Sequence, residues 1–212
     1  MYSRFLLVKD NFYADPQLVL SVARNADYHE PPHATGFRSR EIYHEPGVKT
    51  KLEKMLGIKI NRWDTDPADE NGVFYQAFSE GKRREVPGVH SDEPYNDITV
   101  LIYLTPGLPF EYGTSMWMHK QTGLTDPATR ADARRLKMKF SQLRDQLEKE
   151  SKKRDRWVEI DRVGNRFNRM IAFPSGALHS ATHHFGSDMQ NGRIFQTFRI
   201  GVDWNTFKLT KA

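Results

Sequence analysis

From Gly72 onward the sequence is a series of short apolar runs separated by turn residues, and this pattern constrains the fold more than any other feature. The runs are "GVFYQAF", "ITVLIYLTP", "GTSMWMHK", "NRFNRMIAFPSG" and "GRIFQTFRIGVDW". They are rich in β-branched and aromatic residues, and Pro or Gly bounds most of them, as strands require. In the first run Val73, Tyr75 and Ala77 share a face opposite Phe74, Gln76 and Phe78. Several short strands with turns between them predict a mainly β fold, a sandwich or a barrel. The chain of 212 residues has room for one domain with a sizeable core, so 1–212 reads as a single unit.

Residues 1–71 read differently. Arg4–Phe12 predicts a strand, and "ADPQLVLSVARNADY" predicts a helix capped by Asp15, with Pro16 at its first position and Leu18, Val22 and Ala26 on one face. "GVKTKLEKMLGIKI" predicts a short helix stopped at Gly57, between the loops "HEPPHATGFRSR" and "NRWDTDPADENG". These helices would flank a β core spanning 72–203. A further helical segment interrupts that core at about 126–156. Asp126 and Pro127 repeat the start signal, and Leu136, Phe140, Leu143 and Leu147 form a helical stripe. The expectation is one long amphipathic helix inserted between two strands.

The net charge is +5, and much of the basic excess lies at the far end of that helix, in "EKESKKRDR". The plain reading is a solvated face. The alternatives are a docking surface for an acidic partner or a homodimer contact. Nucleic acid is admitted by the charge but supported by no motif. No apolar run approaches the ~20 residues of a membrane helix, and "MYSRFLLVKDNF" does not read as a secretory signal. The chain has no cysteine, which excludes disulfides and thiolate metal sites and fits a cytoplasmic protein.

Ahead of "ITVLIYLTP" stands His90-Ser91-Asp92. A chain of this composition holds about one His-x-Asp by chance, so the tripeptide alone means little. "FPSGALHSATHH" supplies His179, His183 and His184, of which His179 follows the end of a strand most directly. His90, Asp92 and His179 together make a two-histidine, one-carboxylate set. Such a set binds Fe(II) on one face and leaves three positions open, and it also suits zinc. Arg193 opens the last strand, where a planar guanidinium can grip a carboxylate through two hydrogen bonds.

In "HSD" before "ITVLIYLTP", then "GTSMWMHK", "NRMIAFPSGALHS" and "GRIFQTF", the sequence resembles the Fe(II)/2-oxoglutarate-dependent oxygenase superfamily, within a bacterial and phage-type branch. The resemblance implies a double-stranded β-helix (jelly-roll, cupin-like) core. It implies Fe(II) held by His90, Asp92 and His179, with Arg193 binding the C5 carboxylate of 2-oxoglutarate. Among residues that would assist the co-substrate, Tyr103 ranks first, before Tyr75 and Asn168. Many members carry Ser or Thr two residues after the arginine; here Phe195 stands there, leaving Thr197 or Tyr103 to supply a hydroxyl. The implied reaction uses O2 and 2-oxoglutarate to hydroxylate an unidentified substrate, a small molecule or a protein side chain, with formation of succinate and CO2. Two other readings remain: a cupin-like metal protein that does not use 2-oxoglutarate, and a non-catalytic binder of an acidic partner.

Overall fold

The longest strand organises the structure. In a computed structural model describing residues 5–31, 36–92 and 96–208, the elements run as follows. They are β1 (Leu7–Lys9), α1 (Pro16–Asn25), β2 (Tyr28–His29), β3 (Phe37–Ser39), α2 (Val48–Leu56), β4 (Lys59–Arg62), β5 (Phe74–Ala77), β6 (Ile98–Tyr103), β7 (Thr114–His119), α3 (Arg130–Arg135), α4 (Phe140–Glu150), β8 (Trp157–Val163), β9 (Met170–Pro174), β10 (His179–Ala181) and β11 (Arg193–Asp203). Strand β11 pairs antiparallel with β5 and β6 on its two sides, and with β4 through its far end. The large sheet runs β1-β9-β6-β11-β5-β3-β2, and a smaller sheet runs β10-β7-β8. An isolated antiparallel bridge adds His90 beside His179 of β10.

Both faces of the large sheet are covered, which explains why "ITVLIY" is apolar throughout. On β6, Ile98, Val100 and Ile102 join a core with Val19, Leu20 and Ala23 of α1 and Leu52 of α2. Leu101 and Tyr103, alternating with them, pack with Met116 and Val163 of the small sheet. The two N-terminal helices therefore cover the outer face, while a second cluster fills the space between the sheets.

Local expectations hold in part. Asp15 caps α1 by accepting from the Leu18 N–H at 3.0 Å, and Gly57 ends α2 in the left-handed region at φ 67. The buried face of α1 is Val19, Leu20 and Ala23, with Val22 and Ala26 at its margin, whereas Leu18 in the first turn points to solvent. Strand β1 is shorter than expected because Asn11 takes a positive φ of 57; Arg4 lies outside the described residues.

The inserted segment is two helices, not one. Thr129, rather than Asp126, starts α3 through a reciprocal capping box with Asp132. Its C-terminus closes as a Schellman motif, with the Met138 N–H on the Ala133 carbonyl at 2.9 Å and the Lys137 N–H on the Arg134 carbonyl at 3.1 Å. Lys137, at φ 54, turns the chain before α4 begins. The stripe still packs inward, because Leu136, Phe140, Leu143 and Leu147 all meet the cluster built on Leu124 and Ala133.

Asn168 has a structural part in this frame. At φ 63, its amide accepts from the Tyr13 N–H at 2.7 Å and donates to the Tyr13 carbonyl at 2.9 Å. Replacing Asn168 with Ala removes both buried bonds and puts a residue less tolerant than asparagine in the left-handed region, which should destabilise by about 3 kcal/mol. Asn168→Gly relieves only the backbone strain and should recover about 1 kcal/mol of that. Denaturant midpoints at unchanged slope measure both, and an Asn168→Ala midpoint equal to wild type would refute the clamp.

Candidate metal centre

Three chain segments meet at one end of the space between the sheets. His90 and His179 exchange both backbone hydrogen bonds, at 2.9 and 2.8 Å, so their side chains emerge from the same face of adjacent strands. Their rings lie 4.5 Å apart. Asp92, two residues after His90, is held by its N–H on the Ser175 carbonyl at 2.9 Å. One ligand atom from each of His90, Asp92 and His179 lies within 4.8 Å of the others. The side chains of Asp92 and His179 are 4% and 6% exposed, whereas that of His90 is 57% exposed and opens to solvent.

The hydrogen bonds behind the rings settle their tautomers. His90 Nδ1 lies 2.9 Å from the Gly88 carbonyl and His179 Nδ1 lies 2.8 Å from the Ala177 carbonyl. A carbonyl only accepts, so each Nδ1 carries the proton and each Nε2 presents a lone pair. The two Nε2 atoms lie 3.9 Å and 3.7 Å from Asp92 carboxylate oxygens. Two imidazole lone pairs and a carboxylate converging in this way form a donor set for a divalent cation, with outer partners already in place.

Asp92 is gripped from both oxygens. Thr99 donates its hydroxyl to Oδ2, and Arg199 donates from Nη2 to Oδ1 at 3.2 Å. Thr99 and Arg199 are cross-strand partners on β6 and β11, so the sheet register aims both at one carboxylate. Burial raises the Asp92 pKa, but His179, Arg199, His90 and Thr99 outweigh it and hold the carboxyl below its ordinary range. The same Arg199 Nη2 meets Glu70 at 2.7 Å, and Glu70 meets Arg38 Nε at 2.9 Å.

A cavity of about 580 Å³ extends from the triad. Arg193, Phe195, Thr197 and Arg199, alternate residues of β11, all line it, while Ile194, Phe198 and Ile200 point into the opposite core. Arg193 is 3% exposed and donates from Nη2 to the Gly113 carbonyl at 3.1 Å, and its Nε has no partner. Its guanidinium lies 4.9 Å from the Phe195 ring and 5.5 Å from the Tyr103 ring. Among the described residues it makes no hydrogen bond to a carboxylate.

The remaining sequence candidates divide. Tyr75 lines the cavity; its hydroxyl is buried without a partner, and the Arg38 guanidinium lies 3.5 Å over its ring. Tyr103 lies behind the wall and donates its hydroxyl to Thr114 at 2.8 Å, so Thr114 and Thr197 are the hydroxyl-bearing residues of β7 and β11 on the cavity surface. Asn168 is not part of the lining. His184 is, with its Nε2 3.6 Å from Glu85. Thr99, Arg199, Thr114 and the Arg38–Glu70 pair were not singled out from the sequence. The two-residue period of β11 and β6 gives Thr99 and Arg199, whereas Arg38 and Glu70 come from segments that read as loops.

A family model described as "Family of unknown function (DUF6445)" matches residues 2–199. No curated protein matches the chain in sequence. Among solved structures, HygX from Streptomyces hygroscopicus with nickel and 2-oxoglutarate bound is similar at a TM-score of 0.50 and 13% identity, over 94% of this chain and 83% of that one. A prolyl hydroxylase from Trichoplax adhaerens, in complex with a hypoxia inducible factor oxygen degradation domain peptide fragment, gives 0.48 and 14%, over 98% and 87%. A Pseudomonas putida prolyl-4-hydroxylase gives 0.42 and 9%, over 94% of each chain. The likeness to HygX shows a shared fold.

Burial pushes His179 from 6.5 down to about 4. A base whose pKa is lowered on folding binds fewer protons folded than unfolded between those two values. Metal-stripped protein should therefore lose stability as pH falls from 6.5 toward 4, by at most about 3 kcal/mol from this group. Chemical denaturation across that range should show a flatter pH dependence for His179→Gln. An unchanged slope would assign the acid sensitivity elsewhere.

Proposed function

The chain belongs to the DUF6445 family, a family of unknown function, and from its site we propose that it is an Fe(II)- and 2-oxoglutarate-dependent dioxygenase that hydroxylates a substrate C–H bond. The observation that carries this reading is Arg193. Glu85 acts on this fully buried guanidinium as a nearby charge but makes no hydrogen bond to it, and its Nε–H is unused, so it keeps a donor for an anion that enters the cavity. It opens into the same cavity as a His-Asp-His donor set. A dicarboxylate with one end on the metal and the other on Arg193 answers both features. A zinc site or a cupin-like metal protein that does not use 2-oxoglutarate accounts for the triad but not for the unused Arg193 donor in the same cavity. The nickel and 2-oxoglutarate bound by HygX fit this reading.

On this reading His90 and His179 bind the metal through Nε2 and Asp92 binds through one oxygen. Arg199 and Thr99 would hold that carboxylate in place, one on each oxygen. Arg193 anchors the C5 carboxylate with a hydroxyl from Thr114 or Thr197 beside it, and Tyr103 orients Thr114. Leu101 and Phe195 supply apolar wall that excludes water and strengthens the charge contacts. When bound, ferrous iron with 2-oxoglutarate and O2 supplies the oxidation, releasing succinate and CO2. The strand orders β5-β11-β6-β9 and, with His90 at its edge, β10-β7-β8 support reading the core as a double-stranded β-helix.

Anaerobic Fe(II) with 2-oxoglutarate should give wild-type protein a weak visible absorption band that His179→Ala abolishes. Arg193→Ala should raise the 2-oxoglutarate concentration at half-maximal band intensity on the order of 30-fold or more, the loss expected for a buried charge partner. Wild-type protein that shows neither the band nor 2-oxoglutarate-dependent succinate release would sink the proposal.

A further inference from the structure

The end of the inserted segment reaches both histidine-bearing segments, and Arg154, outside the candidate metal centre, touches the two of them. We propose that Arg154 is a positioning residue for the candidate metal centre, stapling the two histidine-bearing segments to each other; the inference rests on the reading that His90, Asp92 and His179 bind a divalent metal. Arg154 lies in a short 3-10 turn, Arg154–Arg156, between α4 and β8. Its Nη1 donates to Ser180 Oγ at 3.0 Å, and its Nη2 donates to the Ala181 carbonyl at 3.1 Å and to the Pro87 carbonyl at 3.2 Å. Ser180 and Ala181 directly follow His179 on β10, and Pro87 lies three residues before His90. One guanidinium therefore joins the two segments within three residues of each ligand.

Three features make this more than surface packing. All the hydrogen-bonded acceptors are uncharged, and Glu159 acts on the guanidinium only as a nearby charge, so the fork acts through its geometry. The fork is seated over the Trp117 ring at 4.5 Å, and the indole N–H of Trp117 donates to the same Ser180 Oγ at 3.0 Å. The neighbouring Ser151 carbonyl accepts from the Val89 N–H at 2.9 Å, so the end of the insert grips the His90 segment twice.

The segment it grips is the one that needs support. His90 is the exposed ligand, and its tautomer depends on the Gly88 carbonyl, whose residue lies between Pro87 and Val89. If the 87–89 backbone drifts, His90 loses the partner that keeps its proton on Nδ1, and the Nε2 lone pair no longer points at Asp92 and His179. A lysine reaches one acceptor as a point charge and cannot reproduce the planar fork.

The test uses full-length protein, Co(II) as the metal probe and the nitrogen chemical shifts of His90. Wild type should bind Co(II) and, metal-free, hold His90 with its proton on Nδ1. Arg154→Ala should weaken Co(II) binding by roughly tenfold or more, the range seen when outer partners of metal ligands are lost, and should shift His90 toward a mixture of tautomers. Arg154→Lys should fall between the two and carries the test if the alanine variant does not fold. Arg156→Ala, on the same turn but paired with Glu150 and Asp155, should match wild type. Wild-type Co(II) affinity and an unmixed His90 tautomer in the Arg154 variants would overturn the staple and leave the metal site standing. Failure of wild type to bind Co(II) would remove both.

Discussion

Two backbone hydrogen bonds, one in each direction between His90 and His179, are the constraint from which the candidate site follows. An antiparallel pair of this kind sends both side chains to one face at close range. With the rings side by side, the carbonyls of Gly88 and Ala177 fix both Nδ1 protons and turn both Nε2 atoms toward the same point. Asp92 follows because its own N–H is tied to Ser175 and its two oxygens to Thr99 and Arg199. The donor set is thus defined mainly by main chain and sheet register. Side-chain freedom contributes little to it, which is the kind of preorganisation a metal site with open positions requires.

The same register explains how so many charges lie close together. Arg38, Glu70, Arg199 and Asp92 form a ladder of alternating sign, each member within 3.2 Å of the next. In a partly desolvated wall such alternation offsets the cost of burying each ion. Glu70, in the left-handed region at φ 53, joins the ladder from the N-terminal half of the chain, so the metal end of the cavity is coupled to a segment outside the strands that carry the ligands. Arg193 stands apart from this ladder. Its hydrogen-bond partner is a backbone carbonyl, two aromatic rings lie against it, and Glu85 acts on it as a nearby charge without a hydrogen bond, so its Nε–H is left unused.

How much of this was legible depended on the range of the interaction. The triad and Arg193 could be read because each lies beside a strand with a strong apolar pattern, and strand order brings such positions together. The cap of α1 and the end of α2 were legible because Asp15 and Gly57 act within one turn. The split of the insert was not, because a lysine at position 137 carries no left-handed signal; the turn is fixed by Met138 folding back onto the Ala133 and Leu143 cluster. On β6 Tyr103 alternates onto the face of Thr99 and Leu101, toward the space between the sheets, and there its hydroxyl meets Thr114 of the other sheet, a cross-sheet contact that no local pattern encodes. Strands β2, β3, β4 and β10 are too short or polar to announce themselves, and β8, "WVEIDRV", exposes a charged face and merges with the basic end of the helix before it.

The placement of the insert explains why it leaves the sheets intact. It leaves from β7 and returns in β8, and these are antiparallel neighbours in which His119 and Trp157 are paired. Residues 120–156 are therefore a long hairpin connection whose ends are neighbours already. Lengthening such a connection adds only a slowly growing closure entropy, roughly 0.6 kcal/mol per doubling. The excursion offsets that cost by burying its own cluster around Leu143 and by laying Leu147 against Val89, Trp117, Trp157 and Leu178. The buried His119 adds a polar tie, with its ring nitrogens on Thr122 at 2.9 Å and Glu150 at 2.7 Å. Contact with the ligand-bearing segments comes from both ends of the insert: the Thr125 carbonyl accepts from the Leu178 N–H at 2.9 Å, Leu147 packs on Val89 and Leu178, and the last turn, Ser151 to Arg154, meets Pro87, Val89 and Ser180. The solvent-facing residues of the helices can thus vary without consequence for the site, provided that these contacts are kept. The basic residues of "EKESKKRDR" accordingly divide into exposed lysines with the exposed Arg156 and one arginine turned inward, Arg154, and the inward one carries the structural consequence.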